Sequence, residues 1–89
     1  MNAEQKEFFR GALLRVLDER AGERFGLSIT AIQIFLGQFG FRFSKAEDVN
    51  AELQYLADKG FVANTNKVIS PENRAWRITA EGRDFLAQN

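Results

Sequence analysis

The spacing of the apolar residues changes at Gly60, and this change limits the folds that the chain can adopt. Before Gly60, apolar residues recur every three or four positions, which is the period of amphipathic helices. After Gly60 the period becomes two between Arg74 and Thr79, where Trp76 and Ile78 share one face of a strand. The 89 residues are therefore predicted to form a single domain, 1–89, in which helices precede a β-hairpin.

Three helices are predicted before Gly60. The first runs from about Ala3 to about Arg20, because its apolar residues follow the helical period. A loop with two glycines follows, and either Phe25 or Leu27 could anchor a short strand there.

The second helix is predicted to begin near Ser28 or Thr30, since either side chain can cap a helix. Thr30 has Gln33 three residues on, which is the spacing of a capping box. Gly37 and Gly40 mark the expected end of this helix, because glycine readily adopts the left-handed conformation there.

The third helix has the clearest N-terminal signal. Ser44 and Glu47 have the spacing of a capping box, and Gly60 is the expected terminator. Its predicted buried stripe consists of Ala46, Val49, Leu53, Leu56 and Ala57. Because only a short connector separates it from the second helix, the two are predicted to form a helix-turn-helix.

The hairpin is predicted to pair 61–69 with 74–79, around a turn that contains Pro71. Thr79 is expected to cap a final helix from Ala80 to about Gln88, with Phe85 and Leu86 turned inward. The predicted fold class is mainly α with a β-hairpin (α+β), in the order helix, helix, helix, hairpin, helix.

The sequence contains neither histidine nor cysteine. This composition excludes the imidazole general base, the thiolate nucleophile, disulfides, and imidazole or sulfur metal ligands. No acidic loop has the spacing of an EF-hand calcium site. We therefore expect a protein that is not an enzyme and that uses no metal, cofactor or small-molecule substrate.

The N-terminal residues are polar and lack the apolar run of a signal peptide. No apolar stretch approaches the length needed to span a membrane. A cytoplasmic location without membrane contact is expected.

Three stretches resemble the winged helix-turn-helix superfamily. Residues 50–62 resemble its recognition helix, which ends in a leucine, a glycine and the first wing strand. Residues 76–82 resemble the segment that closes the wing in ArsR-, MarR- and PadR-like regulators, and Leu13 to Leu17 lie where those proteins place their first helix. The whole chain resembles small ArsR-like winged-helix proteins of Mu-like phages and prophages. The resemblance implies a winged helix-turn-helix fold, DNA binding, transcription regulation and a possible homodimer.

The charges are divided between the elements, although the net charge is zero. The third helix has two lysines and four carboxylates, and Glu47, Asp48, Glu52 and Asp58 are all expected to be exposed and to repel phosphates. The hairpin has a net charge of +2. The predicted phosphate contacts are Arg42, Lys45, Lys67, Arg74 and Arg77, and the predicted base-reading residues are Asn50 and Gln54.

Two functions stay open at this point. One is a DNA-binding regulator that acts as a homodimer; the other is a winged helix that contacts a protein partner without binding DNA, which the acidic third helix favours. Most of the charges are also explained by solvation and by the helix dipole.

Phe8 and Phe9 are the predicted dimer-interface residues, but they are adjacent and cannot both face one way. The alternative is that both rings pack beneath a neighbouring helix.

Overall fold

A computed structural model describes residues 2–22, 26–42, 44–65 and 74–88. Within these residues the chain has a mainly helical α+β fold with a small three-stranded antiparallel sheet. The elements are α1 (Ala3–Glu19), β1 (Leu27–Ser28), α2 (Ile29–Leu36), a 3-10 helix (Gly37–Phe39), α3 (Ala46–Asp58), β2 (Val62–Asn64), β3 (Ala75–Ile78) and α4 (Ala80–Ala87).

The first predicted helix is confirmed as α1, with Arg20 as its C-cap. Asn2 Oδ1 accepts a hydrogen bond from the Gln5 backbone N–H at 2.8 Å, and Gln5 Oε1 accepts one from the Asn2 N–H at 3.0 Å. This reciprocal pair fixes the start of the helix by satisfying two backbone donors. The buried face of α1 consists of Phe9, Ala12, Leu13, Leu14, Val16 and Leu17.

Ser28, rather than Thr30, begins α2. Ser28 Oγ accepts a hydrogen bond from the Ala31 N–H at 3.1 Å, whereas Thr30 is exposed within the helix. The capping box predicted at Thr30 is wrong, because Gln33 donates its side-chain N–H to the Ser44 carbonyl instead. The 3-10 turn then ends at Gly40, where φ is 89°.

The predicted third helix is confirmed as α3, but its predicted capping box is wrong. Lys45 is the N-cap and makes no side-chain capping bond, and Ser44 Oγ is buried without a hydrogen-bond partner in the described part of the chain. Val49, Leu53 and Leu56 are buried as predicted. Ala46, expected in the same stripe, is instead exposed at the first residue of α3.

The predicted hairpin pairing is confirmed for the described strands. β2 pairs antiparallel with β3, so that Val62 lies opposite Ile78 and Asn64 opposite Trp76. The short strand anticipated at Leu27 is β1, which pairs with the other edge of β3 and places Leu27 opposite Trp76. The strand order is therefore β1-β3-β2. Phe25, Lys67 and the turn at Pro71 lie outside the described residues.

Thr79 caps α4 as predicted and also joins it to the end of α3. Its hydroxyl accepts a hydrogen bond from the Gly82 N–H at 3.1 Å and donates one to the Gly60 carbonyl at 2.6 Å. Phe85 is not turned fully inward: it is 38% exposed and stacks on Phe61 with a centroid distance of 4.7 Å.

Trp76 and Phe9 are the largest fully buried side chains of the core. Trp76 projects from the central strand, and the buried side chains of α1, α2 and α3 complete the same cluster. No helix among the described residues is both long and apolar enough to cross a membrane.

Candidate nucleic-acid interface

Glu52 is turned inward, contrary to the expectation that it is exposed on α3. It is 9% exposed, and its Oε2 lies 2.6 Å from Arg10 Nε of α1. The cause is helical geometry, because Glu52 lies three residues after Val49 and four before Leu56, in the buried stripe. That spacing was available in the sequence and identifies position 52 as inward-facing.

Arg10 joins α1 to α3 by two contacts. Besides the ion pair with Glu52, its guanidinium lies 3.7 Å from the centre of the Tyr55 ring. The hydrogen bond to Glu52 raises the pKa of Arg10 above its ordinary value, although burial acts in the opposite direction. Arg10 is therefore fully charged at any physiological pH and neutralises one of the four carboxylates of α3.

The remaining carboxylates lie at the two ends of α3. Glu47 and Asp48 are exposed in its first turn, and Asp58 is exposed at its last residue. The helical period places Ala51 and Gln54 opposite the buried stripe, and Ala51 is exposed while Gln54 is half-buried. The middle of the outward face is thus small and uncharged.

Asn50 does not present its whole amide group to the surface. The residue is half-buried, and its Oδ1 is buried with no hydrogen-bond partner among residues 2–22, 26–42, 44–65 and 74–88. Reading adenine requires an amide to donate and accept at the base edge together. Of the two predicted base-reading residues, Gln54 is therefore better placed than Asn50.

Arg42 and Lys45 are both exposed where the chain enters α3. Arg42 borders a pocket of about 490 Å³ that Ser44 and Asp48 also line. An anion bound there would meet the Arg42 cation and the Asp48 carboxylate, so Arg42 would attract phosphate less strongly at this pocket than an isolated cation would.

Arg74 and Arg77 do not form one cationic surface. Arg77 is exposed on the outer face of β3, and its Nη2 donates a hydrogen bond to the Ala21 carbonyl at 3.3 Å. Arg74 is half-buried, and its Nε is buried without a hydrogen-bond partner among the described residues. Position 74 has the parity of the inward-facing Trp76, whereas 77 has the opposite parity.

Phe9 is buried, which corrects its assignment as a dimer-interface residue. It is 1% exposed and meets Phe41 edge-on, with a centroid distance of 5.1 Å. Phe8, in contrast, is 72% exposed. The two rings point in different directions because adjacent residues of a helix are about 100° apart around its axis. Of the two, only Phe8 lies on the surface.

An apolar groove that the sequence did not predict lies between α1, α3 and α4. Its volume is about 770 Å³, and Phe8, Tyr55 and Phe85 are partly exposed along it. The residues that line it include Leu14, Phe39, Phe41, Leu56, Phe61 and Leu86. The charged residues Glu7, Arg10, Arg15 and Lys59 also line it. The groove is formed by residues that are distant in sequence, which explains why no local sequence pattern predicted it.

Among the described residues, no group of three or more acidic side chains is arranged to hold a metal ion. Comparison of the chain with models of protein families, with curated proteins and with solved structures gave no match.

Proposed function

We propose that the chain is a winged helix-turn-helix protein that binds DNA and regulates transcription. The observation that carries this proposal is the order and pairing of the elements. α2 and α3 are consecutive helices separated by residues 37–45, which include the 3-10 helix; β2 and β3 follow as an antiparallel pair, and β1 completes the sheet in the order β1-β3-β2. In this arrangement the third helix can enter the major groove while the hairpin reaches the adjacent backbone.

The charges on the outward face of α3 favour DNA binding more than the four carboxylates in its sequence suggest. Because Glu52 is paired with Arg10, the middle of the outward face offers Ala51 and Gln54 to a base edge. Glutamine pairs with adenine, and an alanine methyl packs against the methyl group of thymine. The proposed readout is therefore a short A·T-containing element contacted by these two residues.

The proposed phosphate contacts are Arg42, Lys45 and Arg77, since all three are exposed. Lys67 adds a fourth cation within the hairpin sequence. These contacts position the protein on the duplex, while Gln54 contributes the sequence preference.

A fluorescence-anisotropy titration of the protein with mixed-sequence DNA duplexes at low salt tests the proposal. We expect saturable binding that weakens about equally on all duplexes when Arg42→Ala and Lys45→Ala are combined. Arg83→Ala, which removes an exposed cation from α4, is the matched control and is expected to bind like the parent protein. A protein that binds no duplex at low salt, or that binds equally well without Arg42 and Lys45, contradicts the proposal.

The apolar groove favours a second candidate function, a winged helix that contacts a protein partner without binding DNA. Exposed aromatic side chains gathered in one groove are typical of interaction surfaces. This candidate predicts that Phe8→Ala abolishes partner binding and that no duplex is bound. Binding of DNA by the Phe8→Ala variant with unchanged affinity excludes it.

A further inference from the structure

Three residues of α3 form one row along its outward face. Glu47, Ala51 and Gln54 are separated by four and three positions, so they follow one another on the same side of the helix. Val49 and Leu53, which are buried, project from the opposite side. Glu47 and Ala51 are exposed, and Gln54 is half-buried. From the start of the helix, this outward row therefore presents a carboxylate, a methyl group and an amide.

The carboxylate of Glu47 forms no ion pair with any other residue that the structure describes. The cation that α1 supplies to α3 is Arg10, and it is bound to Glu52 on the inward side of the helix. Lys45 is the N-cap, two positions before Glu47, and residues so spaced do not face each other on a helix. The oxygens of Glu47 therefore keep their capacity to accept hydrogen bonds from a partner.

The helix dipole accounts for a carboxylate in the first turn of α3, but it does not distinguish Glu47 from Asp48. Both lie in that turn, where a negative charge is favoured. They differ in direction, because adjacent helical residues are about 100° apart around the axis. Asp48 lines the pocket that Arg42 borders, whereas Glu47 lies in the outward row.

We propose that Glu47 reads a cytosine in the major groove, an inference that rests on the DNA-binding function proposed above. Residues at the N-terminal end of a recognition helix contact base edges, and Glu47 is the second residue of α3. A carboxylate only accepts hydrogen bonds, and cytosine presents the N4 amino donor. Guanine and thymine present acceptors, which repel a carboxylate.

The outward row also sets the spacing of the bases that are read. Glu47 and Gln54 are seven residues apart, which is about 10 Å along a helix. This length equals about three base-pair steps of about 3.4 Å each. The proposed element is therefore a C·G pair with an A·T pair for Gln54 within about three base pairs of it, and the thymine methyl group for Ala51 lies between them.

Glu47 contributes to specificity in a second way, by weakening the binding of other sequences. Its charge opposes the phosphates of every duplex, whereas its hydrogen bond to N4 forms only where a cytosine is present. Removal of the charge therefore raises the affinity for duplexes that lack the cytosine and lowers the preference for it. Removal of a carboxylate that is merely solvated raises the affinity for all duplexes alike.

Selection of bound duplexes from a random-sequence library tests the reading of cytosine. We expect the parent protein to prefer cytosine over guanine or thymine by at least about fivefold at one position near the A·T pair. Glu47→Gln keeps the shape of the side chain without its charge, and it should change the preferred base at that position to adenine, which pairs with an amide. Glu47→Ala should show no preference there.

Two neutralised carboxylates of α3 are the matched controls. Asp48→Asn removes a charge from the same turn, and Asp58→Asn removes one from the last residue of the helix, eleven positions after Glu47. Fluorescence anisotropy on the selected duplex, and on one in which the cytosine is replaced, should show both controls binding more tightly to both duplexes with the cytosine preference intact.

The outcomes separate this inference from the proposed function. A parent protein that binds DNA without a preference for cytosine overturns the role of Glu47 and leaves DNA binding intact. The same holds if Glu47→Gln retains the cytosine preference, or if Asp48→Asn loses it to the same extent. A parent protein that binds no duplex at low salt overturns both.

Discussion

Arg10 determines how α3 presents its charges. The sequence has four carboxylates on this helix, but the ion pair of Glu52 with Arg10 removes one of them from the outward face. The guanidinium also packs on the Tyr55 ring, so a single side chain of α1 holds two consecutive turns of α3. The net charge counted from the sequence of α3 therefore differs from the net charge on its outward face.

Arg10→Met is expected to lower the free energy of unfolding by about 1–3 kcal/mol, because it leaves the Glu52 carboxylate in a mostly buried position without its cation. Chemical denaturation followed by tryptophan fluorescence measures the change. Arg83→Met should be within about 0.5 kcal/mol of the parent, since Arg83 is exposed. Adding Glu52→Gln to Arg10→Met should recover part of the loss; a purely additive loss contradicts a direct pair.

Gly82→Ala is expected to destabilise the protein by more than about 2 kcal/mol. A Cβ at this position would collide with the Phe61 carbonyl oxygen and lie 2.7 Å from Ile78 Cγ1, where α4 packs against the sheet. Gly22→Ala has no atom within 4 Å of the added carbon and serves as the control. Thermal unfolding distinguishes the two, and similar melting temperatures contradict the close packing of α4.

At the scale of elements, the helices and strands were predictable where a single local pattern applied and no longer-range contact involved the same side chains. The alternation that places Trp76 and Ile78 together is reproduced in β3, and Thr79 caps α4 as its position indicated. One error occurred where a longer-range contact involves the side chain: Gln33, predicted to close a capping box, donates to the Ser44 carbonyl. The capping box predicted at Ser44 is wrong for a different reason, because the helix begins one residue later, with Lys45 as its N-cap. Neither the Gln33 bond nor the Arg10 pair is visible to a local spacing rule.

Thr79 is expected to contribute more to the free energy of unfolding than an ordinary N-cap residue does. Its hydroxyl also donates a hydrogen bond to the Gly60 carbonyl at the end of α3. Thr79→Ala is expected to cost about 1–2 kcal/mol of unfolding free energy. Thr30→Ala, at an exposed position in the first turn of α2, should be neutral or slightly stabilising because alanine is the better helix former. Equal effects of the two substitutions in denaturation experiments contradict this assignment of the caps.

At the scale of the whole molecule, the exposed cations and the apolar groove are distinct features. Arg42 and Lys45 are exposed at the start of α3, whereas Arg77 is exposed on β3 beside the Ala21 carbonyl. The apolar groove lies beside α1, and Phe8, Tyr55 and Phe85 contribute to it from three helices. The cations could be selected from the sequence by residue type. The groove could not, because it exists only after the helices have packed.

The salt dependence of DNA binding is the most direct test of the proposed function. With Arg42, Lys45, Lys67 and Arg77 on phosphates, a plot of log affinity against log salt concentration should have a slope of about −3.6 per chain. Combining Arg42→Ala with Lys45→Ala should reduce the magnitude of that slope by about 1.8, whereas Arg83→Ala should leave it unchanged. DNA binding that does not depend on salt, or a slope unaffected by loss of Arg42 and Lys45, would contradict a DNA interface at the start of α3.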